Sequence, residues 1–176
     1  MLPDPLHPAV VHFPIVLTFL LPIVIAAAMW AIRKGAKPAR AWAVPVAFSL
    51  GLAASAWAAV ETGEGQEDRV ENIVPGAAMD SHEDAANLFL KLSAGLALIA
   101  AAGLIPRVVG RSARLGAAAG AVGLIFVGIQ VGRSGGDLVY VHGAASAYSH
   151  VKPTDPARRV SQSLNLEGAR RDHQHE

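Results

Sequence analysis

Four stretches of this chain hold no charged side chain: residues 10–32, 41–60, 92–106 and 115–132. A helix needs ~20 apolar residues to cross the ~30 Å hydrocarbon core of a bilayer. Each block approaches that length, the third once Asn87 to Lys91 are added. Composition points the same way: 52% of the 176 residues are hydrophobic and 16% charged, too apolar for an ordinary soluble domain. The expectation is an all-α fold, an integral membrane four-helix bundle with spans at roughly residues 10–32, 41–61, 85–105 and 115–133. These form a single transmembrane domain, 1–150. Residues 151–176 are polar, mixed in charge and without apolar period, so a flexible extramembrane tail is expected there.

Charge placement orients the bundle. Arg33, Lys34, Lys37 and Arg40 lie between the first two spans, and Arg107, Arg111 and Arg114 between the last two. The middle loop is acidic: Glu61, Glu64, Glu67, Asp68, Glu71, Asp80, Glu83 and Asp84 face only Arg69. Short loops rich in Lys and Arg stay cytoplasmic, so an N-out, C-out topology follows. In a bacterial inner membrane both termini would be periplasmic, with lipid as the first partner. Trp30 and Trp42 flank the first basic loop and are expected at the interface. The N-terminus has no basic region ahead of its apolar run and does not read as a cleavable signal. The net charge of +1 gives no footprint for nucleic acid.

All seven histidines fall on the side that this orientation makes external: His7, His12, His82, His142, His150, His173 and His175. Histidine is the commonest metal ligand. The chain has no cysteine, which excludes disulfides, thiolate metal sites, Fe–S clusters and covalently attached haem. His12, inside the first span, ranks above His7. The two are five apart, and helix geometry alone does not bring them to one ion. Ser81 and Asp84 resemble a capping box that would put His82 in the first turn of the third helix. Glu83, Asn87 and Lys91 then form a polar stripe, with Lys91 either snorkelling to the interface or meeting Glu61 or an anionic ligand group.

Gly135-Gly136-Asp137-Leu138-Val139-Tyr140-Val141-His142-Gly143 is the densest local signature. Its glycines permit a tight bend or a close approach, and Arg133 just before it could anchor at headgroups or hold an anion. Gly116, Gly120 and Gly123 make one small-residue stripe on the last span, and Gly128 and Gly132 a second. Such stripes serve close helix packing, or one of them makes room for a flat macrocycle. The middle loop, Thr62 to Ser81, is expected to be irregular or to carry a short surface helix.

Three motifs together resemble a known family: His-Pro-x-x-Val-His-Phe-Pro-Ile (His7 to Ile15), His82 with Asn87, and the Gly135 to Gly143 segment. They are similar to the bacterial membrane proteins grouped as domain of unknown function 2231, over about Leu6 to Ala145. The resemblance implies a four-span membrane protein without a settled activity, and it carries over His7, His12, His82 and His142.

Three functions compete. The first is a b-type haem protein for electron transfer at the outer face. Two of His12, His82 and His142 would ligate, Phe13, Phe89 and Tyr140 would line the ring, and Lys91 or Arg133 would meet the propionates. The second is a copper or zinc site built from His12, His82, His142 and His7 with a carboxylate such as Glu61, Glu64 or Asp137. The third is an accessory subunit of a larger membrane complex without cofactor. A redox partner or such a complex is the expected protein partner. No Ser or Cys sits with a histidine in a hydrolase motif, so the reading leans away from an enzyme.

Overall fold

The fold is that of a computed structural model, which describes residues 6–148. His150, His173, His175 and the tail at 151–176 lie outside the described residues. Six helices and a closing 3-10 turn follow in order: α1 (His7–Val10), α2 (His12–Arg33), α3 (Pro38–Glu64), α4 (Glu67–Val70), α5 (Gly76–Ala102), α6 (Arg107–Tyr140) and the turn Ala144–Tyr148. Among the described residues there are four helical stretches long and apolar enough to cross a membrane: α1 with α2, α3, α5 and α6.

Proline sets most of the boundaries. Pro14 has no N–H to give the Val10 carbonyl, and the helical ladder is interrupted at Val11, between α1 and α2. Pro38, Pro75 and Pro106 stand at the starts of α3, α5 and α6. Gly35 ends the α2 turn at φ +99°, with its N–H on the Ile32 carbonyl and that of Ala36 on Ala31. That paired bonding satisfies carbonyls the helix end would otherwise orphan, and it requires a residue tolerant of the left-handed region.

The helices pack in a ring, α2 on α3, α3 on α5, α5 on α6, with α6 returning to α2. The centre holds Leu21, Ile25, Trp42, Leu52, Phe89, Leu96 and Leu124, with Ala56, Ala100, Ala117 and Ala121 allowing close approach. Three buried hydroxyls are satisfied within their own helices: Thr18 donates to Pro14 O, Ser49 to Pro45 O and Ser93 to Phe89 O. The outward faces are as apolar as the centre, with Leu98, Phe126 and Ile23 among many exposed large side chains. A surface of that kind suits hydrocarbon rather than water.

Two expectations need correction, and one pair of alternatives is decided. Trp42 is not interfacial but wholly buried, its Nε1–H donated to Ala100 O at 2.8 Å. Gly103 makes this possible, because a Cβ there would overlap the indole. Arg114 donates Nε–H to Gly103 O at 2.8 Å and lies 5.7 Å above the Trp42 ring, closing the basic end of the bundle. Trp30, by contrast, is exposed. The Ser81 capping box does not form: α5 starts at Gly76 after Pro75, so His82 sits in its second turn. Gly135 and Gly136 make no bend, since α6 runs through them to Tyr140 and the chain turns at Gly143 (φ +74°). The short surface helix expected in the acidic loop is α4.

A candidate cofactor cavity between two histidines

At the acidic end the helices line an open, mostly apolar cavity of about 820 Å³. Ligand sites for small molecules run about 300–1,000 Å³ and are mostly apolar with few polar groups. The walls are Pro14 and Phe19 from α2, Ala56 and Ala59 from α3, Phe89 from α5, and Gly128, Gly132 and Gly135 from α6. Two imidazoles enter it. His7 arrives from α1, which packs on α3, and His82 from α5 where it packs on α6.

Both rings are anchored through Nδ1. His7 Nδ1 lies 2.9 Å from Ala59 O, which can only accept, so Nδ1 is the N–H. His82 Nδ1 lies 2.9 Å from Ser134 Oγ. Val131 O lies 3.0 Å from the Ser134 hydroxyl and can accept its proton, which leaves the Ser134 oxygen able to accept from His82 Nδ1–H. In the neutral ring with Nδ1–H engaged, each Nε2 keeps a lone pair. Neither Nε2 has a hydrogen-bond partner among the described residues. Metal-bound histidines are held in this way, with the second ring nitrogen donating to a carbonyl or similar acceptor.

Glycines let the rings lie this close to their neighbouring helices. A Cβ on Gly63 would come within 3.2 Å of His7 Cε1, and one on Gly135 within 3.0 Å of His82 Cε1. The two small-residue stripes divide accordingly. Gly116 and Gly120 pack against Ile99 and Leu96 of α5, whereas Gly128 and Gly132 face the cavity.

The other candidates lie elsewhere. His12 is exposed, its Nδ1 turned back 2.7 Å from Pro8 O of α1, and it is not on the cavity wall. His142 is half-buried beyond the end of α6 and does not line the cavity. Lys91 and Arg133 are exposed and off the wall, as are Glu61 and Asp137. Phe89 lines the cavity, Tyr140 stands largely exposed at its edge, and Phe13 is exposed away from it. Glu83 and Asn87 of the polar stripe do face inward. Among the described residues no group of three or more His, Asp or Glu side chains is placed to hold an ion. The centre expected from His12, His82 and His142 together is thus not assembled, because His12 folds back on α1 and His142 follows the end of α6.

No family model matches this chain, and no curated protein or solved structure does. The site therefore has to be read from its own chemistry. Gly63 and Ser134 were missed in the sequence. Each is a small residue packed or bonded to a histidine some fifty positions away in the chain, and no local pattern marks such a pairing.

Proposed function

We propose that this chain is a four-span protein of a bacterial inner membrane, of the family its motifs resemble, that binds b-type haem between His7 and His82 for electron transfer. The carrying observation is the pair of imidazoles in one apolar cavity, each anchored through Nδ1 and with no hydrogen-bond partner on Nε2 among the described residues. A haem supplies four of the six iron ligands itself, so two imidazoles suffice where an ion held by protein alone needs more. That distinction favours haem over copper or zinc, since a third protein ligand is lacking among the described residues. The glycine face of α6 offers a flat wall to a macrocycle, and Phe89 an aromatic one.

Bound haem would supply one-electron chemistry, and the protein's part is to hold and tune it. Glu64, Glu67 and Glu83 line the same cavity, and no Lys or Arg does. Carboxylates there stabilise ferric over ferrous iron and lower the reduction potential. The amides of Asn87 and Gln66, rather than Lys91 or Arg133, are what the wall offers the propionates. The basic loops at the opposite end support an outer-face position for the cavity, with N-out and C-out termini. With Trp42 and Arg114 closing the opposite end, electrons would be exchanged on that one side.

A dithionite-reduced minus oxidised spectrum of the purified full-length protein tests the proposal. Sharp haem bands are expected. A featureless spectrum, with no haem bound on titration, would remove this reading and leave an accessory subunit.

A further inference from the structure

We infer that this cavity is loaded sideways from the bilayer, through an opening between α2 and α6, by a flat and largely apolar molecule dissolved in lipid. That the molecule is haem rests on the function proposed above; the opening does not.

α6 returns to α2 through the sparsest seam of the ring. Ile15 and Phe19 of α2 and Ile129 and Val139 of α6 all line the cavity, yet each is 40–50% exposed. A side chain that is wall and surface at once marks a rim. Between Ile129 and Val139 stands Gly132, also on the wall and exposed, with nothing within 4 Å of a would-be Cβ. No side chain fills the seam there.

Depth and chemistry decide which solvent the rim meets. A helix rises about 1.5 Å per residue, so Phe19 lies about 10 Å along α2 from His12, and Ile129 about 16 Å back along α6 from Tyr140. Both helices belong to stretches apolar enough to cross a membrane. None of the side chains that they give to the cavity is charged. The carboxylates of the wall, Glu64, Glu67 and Glu83, belong to α3, α4 and α5 instead. Hydrocarbon wets such a rim, while water finds no polar partner along it. A molecule already dissolved in lipid therefore reaches the imidazoles of His7 and His82 without crossing a polar surface.

The absence of cysteine allows a single spin label. A56C puts a nitroxide on the α3 wall, at a position buried in the native chain. In the full-length, haem-free protein in nanodiscs, oxygen serves as the lipid-soluble relaxant and a nickel chelate as the aqueous one. Oxygen should relax the label strongly and the chelate weakly. I15W with I129W narrows the seam and should abolish most of the oxygen effect, whereas I15A with I129A widens it and should preserve that effect. L98W, exposed on α5 away from the cavity, should change nothing. A chelate effect equal to that of oxygen, or an oxygen effect untouched by the tryptophan pair, would overturn the side opening whether or not haem binds. In a second arm haem passes from haem-laden vesicles to the protein. The tryptophan pair should slow uptake and release alike, and the alanine pair should speed both. One common rate in all three proteins would overturn the route. No uptake by any of them, with the oxygen result as expected, would remove haem as the occupant together with the function proposed above, and leave a seam open to lipid alone.

Discussion

Adding one methyl group at Gly135 sets two effects of known size against each other. Glycine inside a helix is about 1 kcal/mol worse than alanine, so Gly135→Ala should stabilise α6 if nothing else changed. The new Cβ, however, would lie 3.0 Å from His82 Cε1 and 3.6 Å from both ring nitrogens. Carbon atoms prefer about 3.5–4.0 Å, so the ring must retreat by roughly half an ångström. It cannot do so freely, because Nδ1 is tied to Ser134 Oγ at 2.9 Å. Overpacking of this kind costs about 1–3 kcal/mol, which cancels or exceeds the helix gain. Gly123→Ala is the control: it lies on the same helix, and nothing is within 4 Å of its would-be Cβ. The two variants should therefore differ by about 1–3 kcal/mol in unfolding free energy. Haem titration should weaken for Gly135→Ala only. Equal stabilisation by both substitutions, with unchanged haem affinity, would show that His82 is not held against α6.

Other consequences are as direct. Ser134→Ala removes the acceptor for His82 Nδ1–H, and haem affinity should fall about 10–100-fold, the usual cost of losing an outer-shell partner. Equilibrium titration in detergent measures it, and an unchanged affinity would mean that Ser134 does not orient the ring. Gly103→Ala drives a Cβ into the Trp42 indole and should destabilise the bundle by about 1–3 kcal/mol, seen as a lower midpoint of denaturation. Because Trp42 lies at the end opposite the cavity, haem bound to the folded fraction should keep its spectrum. Replacing Glu64, Glu67 and Glu83 together by glutamine should raise the haem reduction potential, read by redox titration. A potential that stays put would place the iron away from that wall.

The helices were legible in the sequence because their signal is local. Uncharged blocks of the right length cannot be read otherwise, and prolines mark their starts. The site was legible only in its residue type and its end of the bundle. His82 lines the cavity, whereas His12, which depth in the first span ranks above His7, does not. What decides between them is lateral: α1 packs on α3, and only His7 reaches the Ala59 carbonyl beside Gly63. His12 spends its Nδ1–H on Pro8, four residues back. Trp42 failed for a related reason. A tryptophan beside a basic loop suits the interface, and only the glycine at position 103, distant in sequence, opens a place for it inside. Of the two alternatives for Gly135–Gly136, Gly135 provides the close approach, while the bend falls to Gly143.

The most direct test is electron paramagnetic resonance of the ferric, haem-loaded protein, compared across four single histidine-to-alanine variants. The parent protein should show a low-spin signal of an iron held by two imidazoles. His7→Ala and His82→Ala should each abolish it, giving high-spin iron or no bound haem, while His12→Ala and His142→Ala leave it as it was. A low-spin signal that survives loss of His7 or of His82, or that disappears with His12, would contradict the pairing.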